Sequence, residues 1–496
     1  MGPAKCFHDL KAFLTEAGYT ERSVCERLGL GAQHELLARK SPLRLDQIRD
    51  SLDLLIQLFL LGECVEESVL QEALPSVVMD AIGELGLLSS EASRPSLRYA
   101  LVLLYPIRHL HIVSDRWTNP DGSHFTPPDD IVYPALTKNT YRFLSMLPPE
   151  PCQRLLDLGS GTGVAALVAA EYADHAWAVD ITERSTRLAE FNRLLNGVEN
   201  VTVLQGDLYE PVDPMAFDRI VAHPPYVPAV TPKVVFQDAG SEGEEITRGI
   251  VRGLPAHLSP GGKLYCLALG ADRPGEPFER RIRGWLDKHE SAFDVLLGVV
   301  ETHTPEQIAS QPLLRGEIGY QEFKARKEAF EKAGIERFVY GLIVVQRVPD
   351  AERPPFTARR QLGPRTGSAE FEWALRWESA AASPAFLLQA RPVISKNLEL
   401  RVIHRVEQGT LTPAKYTLLT DYPFSMECLV HVWTAALTEV CDGNRTGLEI
   451  HEHCRQNGWI SPDVAAEDFA RFLGSLVSGG FLEVEGALSI QHLRPR

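Results

Sequence analysis

Paired cysteines, long apolar runs and positive charge are what this chain of 496 residues lacks. Its eight cysteines, Cys6, Cys25, Cys64, Cys152, Cys266, Cys428, Cys441 and Cys454, are scattered and form no CxxC pair. That excludes a disulfide framework and points to free thiols in a reducing compartment. Cys266 sits inside an apolar run, where a thiol reads as a small hydrophobe. The longest apolar stretch, LDLLIQLFLLG, falls short of the roughly 20 apolar residues that span a bilayer. The start, MGPAKCFHDLKAFL, has no basic region followed by an apolar stretch, so no signal peptide is expected, and Cys6 breaks the myristoylation pattern. A cytoplasmic protein without membrane attachment is the expectation. Lys and Arg number 50 against 66 Asp and Glu, leaving a net charge of −16 that works against nonspecific binding to nucleic acid or anionic membrane.

What is there is globular: 44% hydrophobic and 23% charged, with length for two or three domains. Residues 1–116 read as a helical, winged-helix-like domain. Leu54, Leu55, Leu58 and Leu61 repeat at helical spacing before a stop at Gly62, and a helix, a turn and a hairpin follow over 81–115. Residues 117–130, rich in Pro, Gly and Asp, read as a linker or lid. Over 131–349, short apolar runs alternate with helical patterns: RLLDL (154–158), AWAVD (176–180), VTVLQ (201–205), FDRIVA (217–222), GKLYCLAL (262–269), DVLLGVV (294–300) and FVYGLIVVQRV (338–348). This alternation predicts a doubly wound, Rossmann-like α/β sheet, with one of the last two runs antiparallel. A helix is expected at EFKARKEAFEKAG. Residues 350–368 read as a linker, 369–410 as β-rich, and 426–490 as helices ending in a hairpin. The 369–496 region is thus a C-terminal α+β domain of winged-helix type.

The first chemical signal is LLDLGSGTGVAALVAA (155–170). An apolar strand ends at Asp157, and Gly159, Gly161 and Gly163 follow, with Ser160 among them. Glycines there allow backbone to approach a ligand. A dinucleotide site uses the same device on a pyrophosphate, but Asp157 would repel one and suits a cationic amino group. Asp180, followed by Ile181, ends the next strand, where an acid accepts ribose hydroxyls. Asp207, beside Leu208, follows the third strand in QGDLYEPV, where it suits an adenine amino group and Leu208 offers its backbone N–H. In a doubly wound sheet these strand ends share one crevice. Together they favour S-adenosylmethionine (SAM) over a dinucleotide.

The second signal is FDRIVAHPPYVP (217–228). With it, 155–270 resembles the NPPY-type methyltransferases, the "methyltransferase small" group that includes the glutamine N5-methyltransferases of release factors. From about residue 52 the chain also resembles a little-characterised bacterial family of two-part methyltransferases, through LFLLG (58–62), SDR (114–116) and FQDAG (236–240). The first resemblance implies a class I SAM-dependent enzyme needing no metal. In it the first residue of the tetrapeptide and the next backbone carbonyl clamp a planar nitrogen, and the aromatic residue walls the acceptor pocket. Here the first residue is His223, with Pro224 stiffening the loop and Tyr226 as the wall. An imidazole has one donor and one acceptor and does not copy an amide. With an ordinary pKa of about 6.5 it suits orienting or deprotonating the acceptor. The substitution favours a hydroxyl, thiol, carboxyl or small amine.

Weaker signals complete the reading. Tyr133 and Thr137 precede the first strand where the family covers SAM, and Asp238 lies in the loop after Tyr226. The acidic run Glu242, Glu244 and Glu245 reads as a solvated face, and Asp115–Arg116 as a cap pair or lid contact. His451 and Cys454 in HEHC lack a partner pair at ligand spacing, so no metal site is expected. The segment from 426 resembles PqqD-type winged-helix modules. It carries five Lys and Arg against ten Asp and Glu, so it is read as a protein, peptide or dimerisation element, and not a DNA reader. The expected function is methyl transfer to a small molecule or peptide, with His223 orienting or deprotonating it. Two alternatives stand: N-methylation of a protein glutamine or RNA base, and SAM binding without turnover.

Overall fold

The computed structural model describes every residue except 1, 39–42, 44, 46, 92–93, 121–122, 124, 226–242, 349–352, 381–382 and 485–496. Contacts divide the chain into two compact units. One is Met1–Phe293 with Thr302–Arg353, and the other is Asp294–Glu301 with Pro354–Arg496.

The first unit is built on six strands: β1 (Cys152–Leu158), β2 (Ala173–Asp180), β3 (Val201–Gln205), β4 (Phe217–Ala222), β5 (Leu258–Asp272) and β6 (Arg337–Arg347). Their order is β6-β5-β4-β1-β2-β3. Strands β1 to β5 pair in parallel, whereas β6 runs antiparallel to β5 from Lys263↔Gln346 to Asp272↔Arg337. The apolar runs predict these strands, and the antiparallel one is FVYGLIVVQRV. Their near-continuous hydrophobicity follows from burial on both faces: Leu155, Leu156, Leu158, Ile220, Val221 and Ala222 are all buried. Chain order reverses at β1, so the crevice between its carboxyl end and that of β4 is the expected ligand position.

The N-terminal region falls in the same compact unit as the six-stranded sheet. Helices Ala4–Glu16 and Ser76–Glu84, and a small sheet of Val65–Glu66, Leu97–Ala100 and Leu88–Ser90, precede the hairpin Val102–Ile107/Leu110–Asp115. Two asparagines one turn apart on the helix Glu183–Asn196 hold that hairpin. Asn192 accepts from the Val113 N–H at 2.7 Å and donates to its carbonyl at 2.9 Å; Asn196 does the same at His111, at 2.9 and 2.8 Å. Each side-chain amide thus satisfies two backbone groups that would otherwise be orphaned. Phe7 adds an edge-to-face contact with Phe191, centroids 4.9 Å apart.

The second unit contains, among its described residues, a run of five paired strands in the order Glu399–Glu407, Thr410–Thr420, Phe424–Val430, Thr357–Leu362 and the Asp294–Glu301 part of Phe293–His303. The run DVLLGVV therefore belongs here and not to the first unit. Two other expectations change. Residues 350–368 contain a strand, TARRQL, parallel to Val295–Val299. Part of the region 369–410, read as β-rich, lies instead in helices Ser368–Ala380 and Pro384–Gln389. The aromatics of FEWALRW suggest a strand, but Phe371, Ala374, Leu375 and Trp377 are all buried, and their spacing is helical. Phe371 meets Phe424 edge to face at 5.7 Å. Helices Gly447–Gln456 and Ala466–Ser478 appear as expected, and Leu482–Val484 pairs antiparallel with Pro392–Ile394. ECLV, read as helical, lies in the strand Phe424–Val430.

Gly163 has φ of +75°, and a Cβ there would lie 3.0 Å from the Ala189 Cβ. Gly161, at φ +53°, has nothing within 4 Å of where a Cβ would sit. Gly163→Ala should lower the unfolding free energy by about 1–2 kcal/mol for the left-handed backbone alone, plus a clash that Gly161→Ala does not suffer. Urea unfolding of the two variants should show the larger loss at Gly163, and equal losses would contradict the packing role.

Candidate active site

A cavity of about 620 Å³ opens at the carboxyl ends of β1, β2, β3 and β4. Its wall gathers Tyr133, Thr137, Asp157, Gly159, Ser160, Gly161, Asp180, Ile181, Asp207, Leu208, His223 and Pro224. Gly163 is the exception among the described candidates. It does not line the cavity, and its missing Cβ serves packing on Ala189. Tyr226 and Asp238 lie outside the described residues.

The glycine turn follows β1 directly. The Gly159 and Ser160 N–H groups donate to the Val179 carbonyl at 2.9 and 3.0 Å, which fastens the turn to β2. Gly159, Gly161 and Gly163 all have positive φ, a conformation that costs other residues. Ser160 is buried, and its hydroxyl has no hydrogen-bond partner among the described residues. A buried polar atom facing a cavity calls for a ligand or water partner.

Asp180 is anchored as well as exposed to the cavity. Its Oδ2 accepts from the Gly161 N–H at 2.9 Å, and its Oδ1 from the Thr182 N–H and hydroxyl at 3.1 and 3.2 Å. Each carboxylate oxygen has further acceptor capacity, so the acid is fixed in place and still able to take hydroxyl donors. After β3, Leu208 holds φ of +47°, uncommon for a residue with a Cβ, so the backbone at Asp207–Leu208 is locally strained where the cavity wall passes. Thr137 caps the helix Lys138–Met146 by accepting the Thr140 N–H at 3.1 Å.

Asp157 is 2% exposed and accepts a hydrogen bond from the Ala166 N–H at 3.1 Å. Burial, with a smaller push from Asp180 and against the Ala166 hydrogen bond, raises its pKa to about 7. This buried carboxylate at a cavity wall suits a cationic partner. Burial also pushes the His223 imidazole down to about 4, so it is neutral at pH 7. Its ring lies 5.3 Å from that of Phe143.

Several wall residues were not singled out in the sequence. Asn139, Thr140 and Phe143 come from one face of the helix Lys138–Met146, and Ile246 and Ile250 from the helix Glu245–His257. Their helical spacing is visible in the sequence, but the face they present is not. Glu244 corrects the reading of a solvated acidic run. It is fully buried, accepts from the Ala271 N–H at 2.7 Å and forms a two-pronged ion pair with Arg281. Glu245, next to it, is exposed as expected. The His451 Nε2 lies 2.9 Å from the Val464 carbonyl, a structural contact within the fold. Among the described residues no three metal-capable side chains cluster, and no helix is long and apolar enough to cross a membrane.

Comparison with known proteins agrees with this geometry. Residues 135–273 match the family described as Methyltransferase small domain, and residues 16–99 a Domain of unknown function (DUF7059). The chain is 35% identical over 162 residues to the ribosomal protein uL3 glutamine methyltransferase of Bradyrhizobium diazoefficiens, covering 30% of this chain and 50% of that protein. It is 36% identical over 123 residues to the release factor glutamine methyltransferase of Geobacter sulfurreducens, covering 22% and 43%. For the Escherichia coli release factor glutamine methyltransferase the figures are 35% over 139 residues, covering 28% and 49%. The chain thus spans about half the length of the curated relatives it matches. The 135–273 segment is a class I methyltransferase domain. Within that class it is of the methyltransferase small type.

The Asp157 shift gives a signed test. In the ligand-free chain its stabilising contribution is present below the ordinary carboxyl range and is lost as pH rises to about 7. A cationic ligand binds the ionised form, so SAM affinity should rise between roughly pH 6 and pH 8. Calorimetry should find that Asp157→Asn weakens binding and flattens this rise. An unchanged slope in the variant would assign the pH dependence elsewhere.

Proposed function

We propose that the chain is a SAM-dependent methyltransferase acting on a side-chain amide nitrogen of a protein, of the glutamine class. The observation that carries this is the convergence of Asp157, Asp180, Asp207 and the His223–Pro224–Pro225 loop on one cavity. The three acids suit the ammonium, ribose and adenine ends of SAM in turn, and the unpartnered Ser160 hydroxyl and glycine turn fit a ligand lying along β1. SAM supplies a methyl group already activated on a sulfonium, so alignment supplies most of the catalysis. No metal is invoked.

The state of His223 favours the amide reading over the hydroxyl, thiol, carboxyl or small-amine acceptors that its presence suggested. A general base works best with a pKa near the operating pH, and this imidazole is held near 4. A neutral ring instead accepts a hydrogen bond from an amide N–H, beside the Pro224 carbonyl, and sets the plane of the nitrogen. As the new N–C bond forms and the S–C bond breaks, the amide nitrogen becomes strongly acidic. Its surplus proton then leaves to water without a strong base. Similarity to glutamine methyltransferases of ribosomal protein uL3 and of release factors supports the same class.

The test is labelled SAM with glutamine-bearing ribosomal and release-factor proteins, set beside a panel of small hydroxyl, thiol and amine metabolites. Label is expected in a protein as N-methylglutamine. His223→Asn should keep activity within about tenfold of wild type, and His223→Ala should lose substantially more. The rate should show no inflection near pH 6.5. Label in a hydroxyl metabolite, with such an inflection lost in His223→Asn, would overturn the proposal.

A further inference from the structure

The SDR segment, 114–116, touches no proposed substrate group, yet it is tied into the cavity through backbone. The cavity's outer wall is the segment from Asp130 to Ala135, leading into the helix Lys138–Met146. The Val132 N–H donates to the Asp115 Oδ2 at 2.7 Å, and the Asp115 N–H donates to the Val132 carbonyl at 3.2 Å. The Asp115 carboxylate also takes both prongs of Arg184, from Nε and Nη2, each at 2.7 Å. Arg184 stands in the first turn of the helix that Thr182 caps, and Thr182 bonds Asp180. A path therefore runs from the ribose-site acid through its hydrogen bonds with Thr182, along the first helical turn to Arg184, and by the Arg184 ion pair to Asp115 and the wall at Val132.

The rest of the motif fixes Asp115 itself. Arg116, 7% exposed, donates to the carbonyls of Gly62 at 2.6 Å, Thr118 at 3.2 Å and Ala100. A Cβ at Gly62 would lie 2.9 Å from the Arg116 guanidinium, which joins LFLLG to SDR in space. One more tie reaches the wall from the N-terminal region, and two reach the helix that follows it. The Ala135 N–H donates to the buried Tyr105 hydroxyl at 2.7 Å, Tyr141 donates to Glu21, and Arg108 donates to the Leu144 carbonyl at 2.8 Å.

We propose that Asp115 is a positioning residue for the cofactor. It holds the 131–135 wall closed over the site, so that the N-terminal region serves as a structural half of the cofactor pocket. This rests on the proposed cofactor site, but its anchoring step is separately measurable. A buried carboxylate with three donors, two of them from one bidentate arginine, is well satisfied. Losing it leaves the Val132 N–H and Arg184 without their acceptor and frees the wall.

The test uses the full chain with S-adenosylhomocysteine as probe, reading affinity by calorimetry and amide hydrogen exchange over 131–137. Asp115→Ala should weaken binding by about tenfold or more and speed exchange in that segment without ligand. Asp115→Asn keeps an oxygen for the Val132 N–H and should recover much of both losses. Arg184→Met provides the same test should the alanine variant fail to fold. Unchanged exchange at 131–137 in these variants would overturn the proposal, as would wild-type affinity in Asp115→Ala. A wild type that binds no probe would instead sink the cofactor reading, and the exchange data would still decide the anchor.

Discussion

Everything at the site depends on a carboxylate held away from water at the end of the central strand. Asp157 is at the point where β2 lies on one side of β1 and β4 on the other. Its burial is a consequence of a parallel sheet covered on both faces, and its raised pKa is the cost of that burial. An uncompensated acid in this position is unfavourable to an ordinary core. A cationic ligand offsets the penalty, which makes this buried acid well suited to bind one.

Around that acid the fold supplies rigidity at each strand end. Asp180 is held by the glycine turn and by the cap of the next helix. Leu208 is held in a left-handed conformation. In the loop after β4, His223 is followed by two consecutive prolines, which fix φ. At its far side Glu244, buried against Arg281, fixes the start of the following helix. Preorganisation of this kind reduces the ordering cost of binding, and it suits a reaction in which alignment is most of the work.

Much of this was legible in the sequence because it is local. Each strand of the six-stranded sheet contains an apolar run, and each acid stands at the end of one or just beyond it. What was not legible depends on partners far away in the chain. Glu244 looks like one of three solvated acids until Arg281, 37 residues on, is brought beside it. Asp115 and Arg116 read only as a cap pair or a lid contact until Val132, Arg184 and Gly62 close around them. The helix at 368–380 was hidden by aromatic residues with strand preference, and tertiary burial decided otherwise. His223 shows the limit for chemistry. Its identity suggested a base, but its surroundings, not its residue type, set its proton affinity.

The most direct test of the central claim is calorimetry of S-adenosylhomocysteine against wild type and Asp180→Ala. The account predicts saturable one-site binding to wild type and its loss in the variant, since the removed carboxylate is the proposed ribose contact and also ties the glycine turn to the next strand. Equal binding by the two proteins would contradict the placement of the cofactor at the ends of β1 and β2, and no binding by either would contradict the cofactor itself.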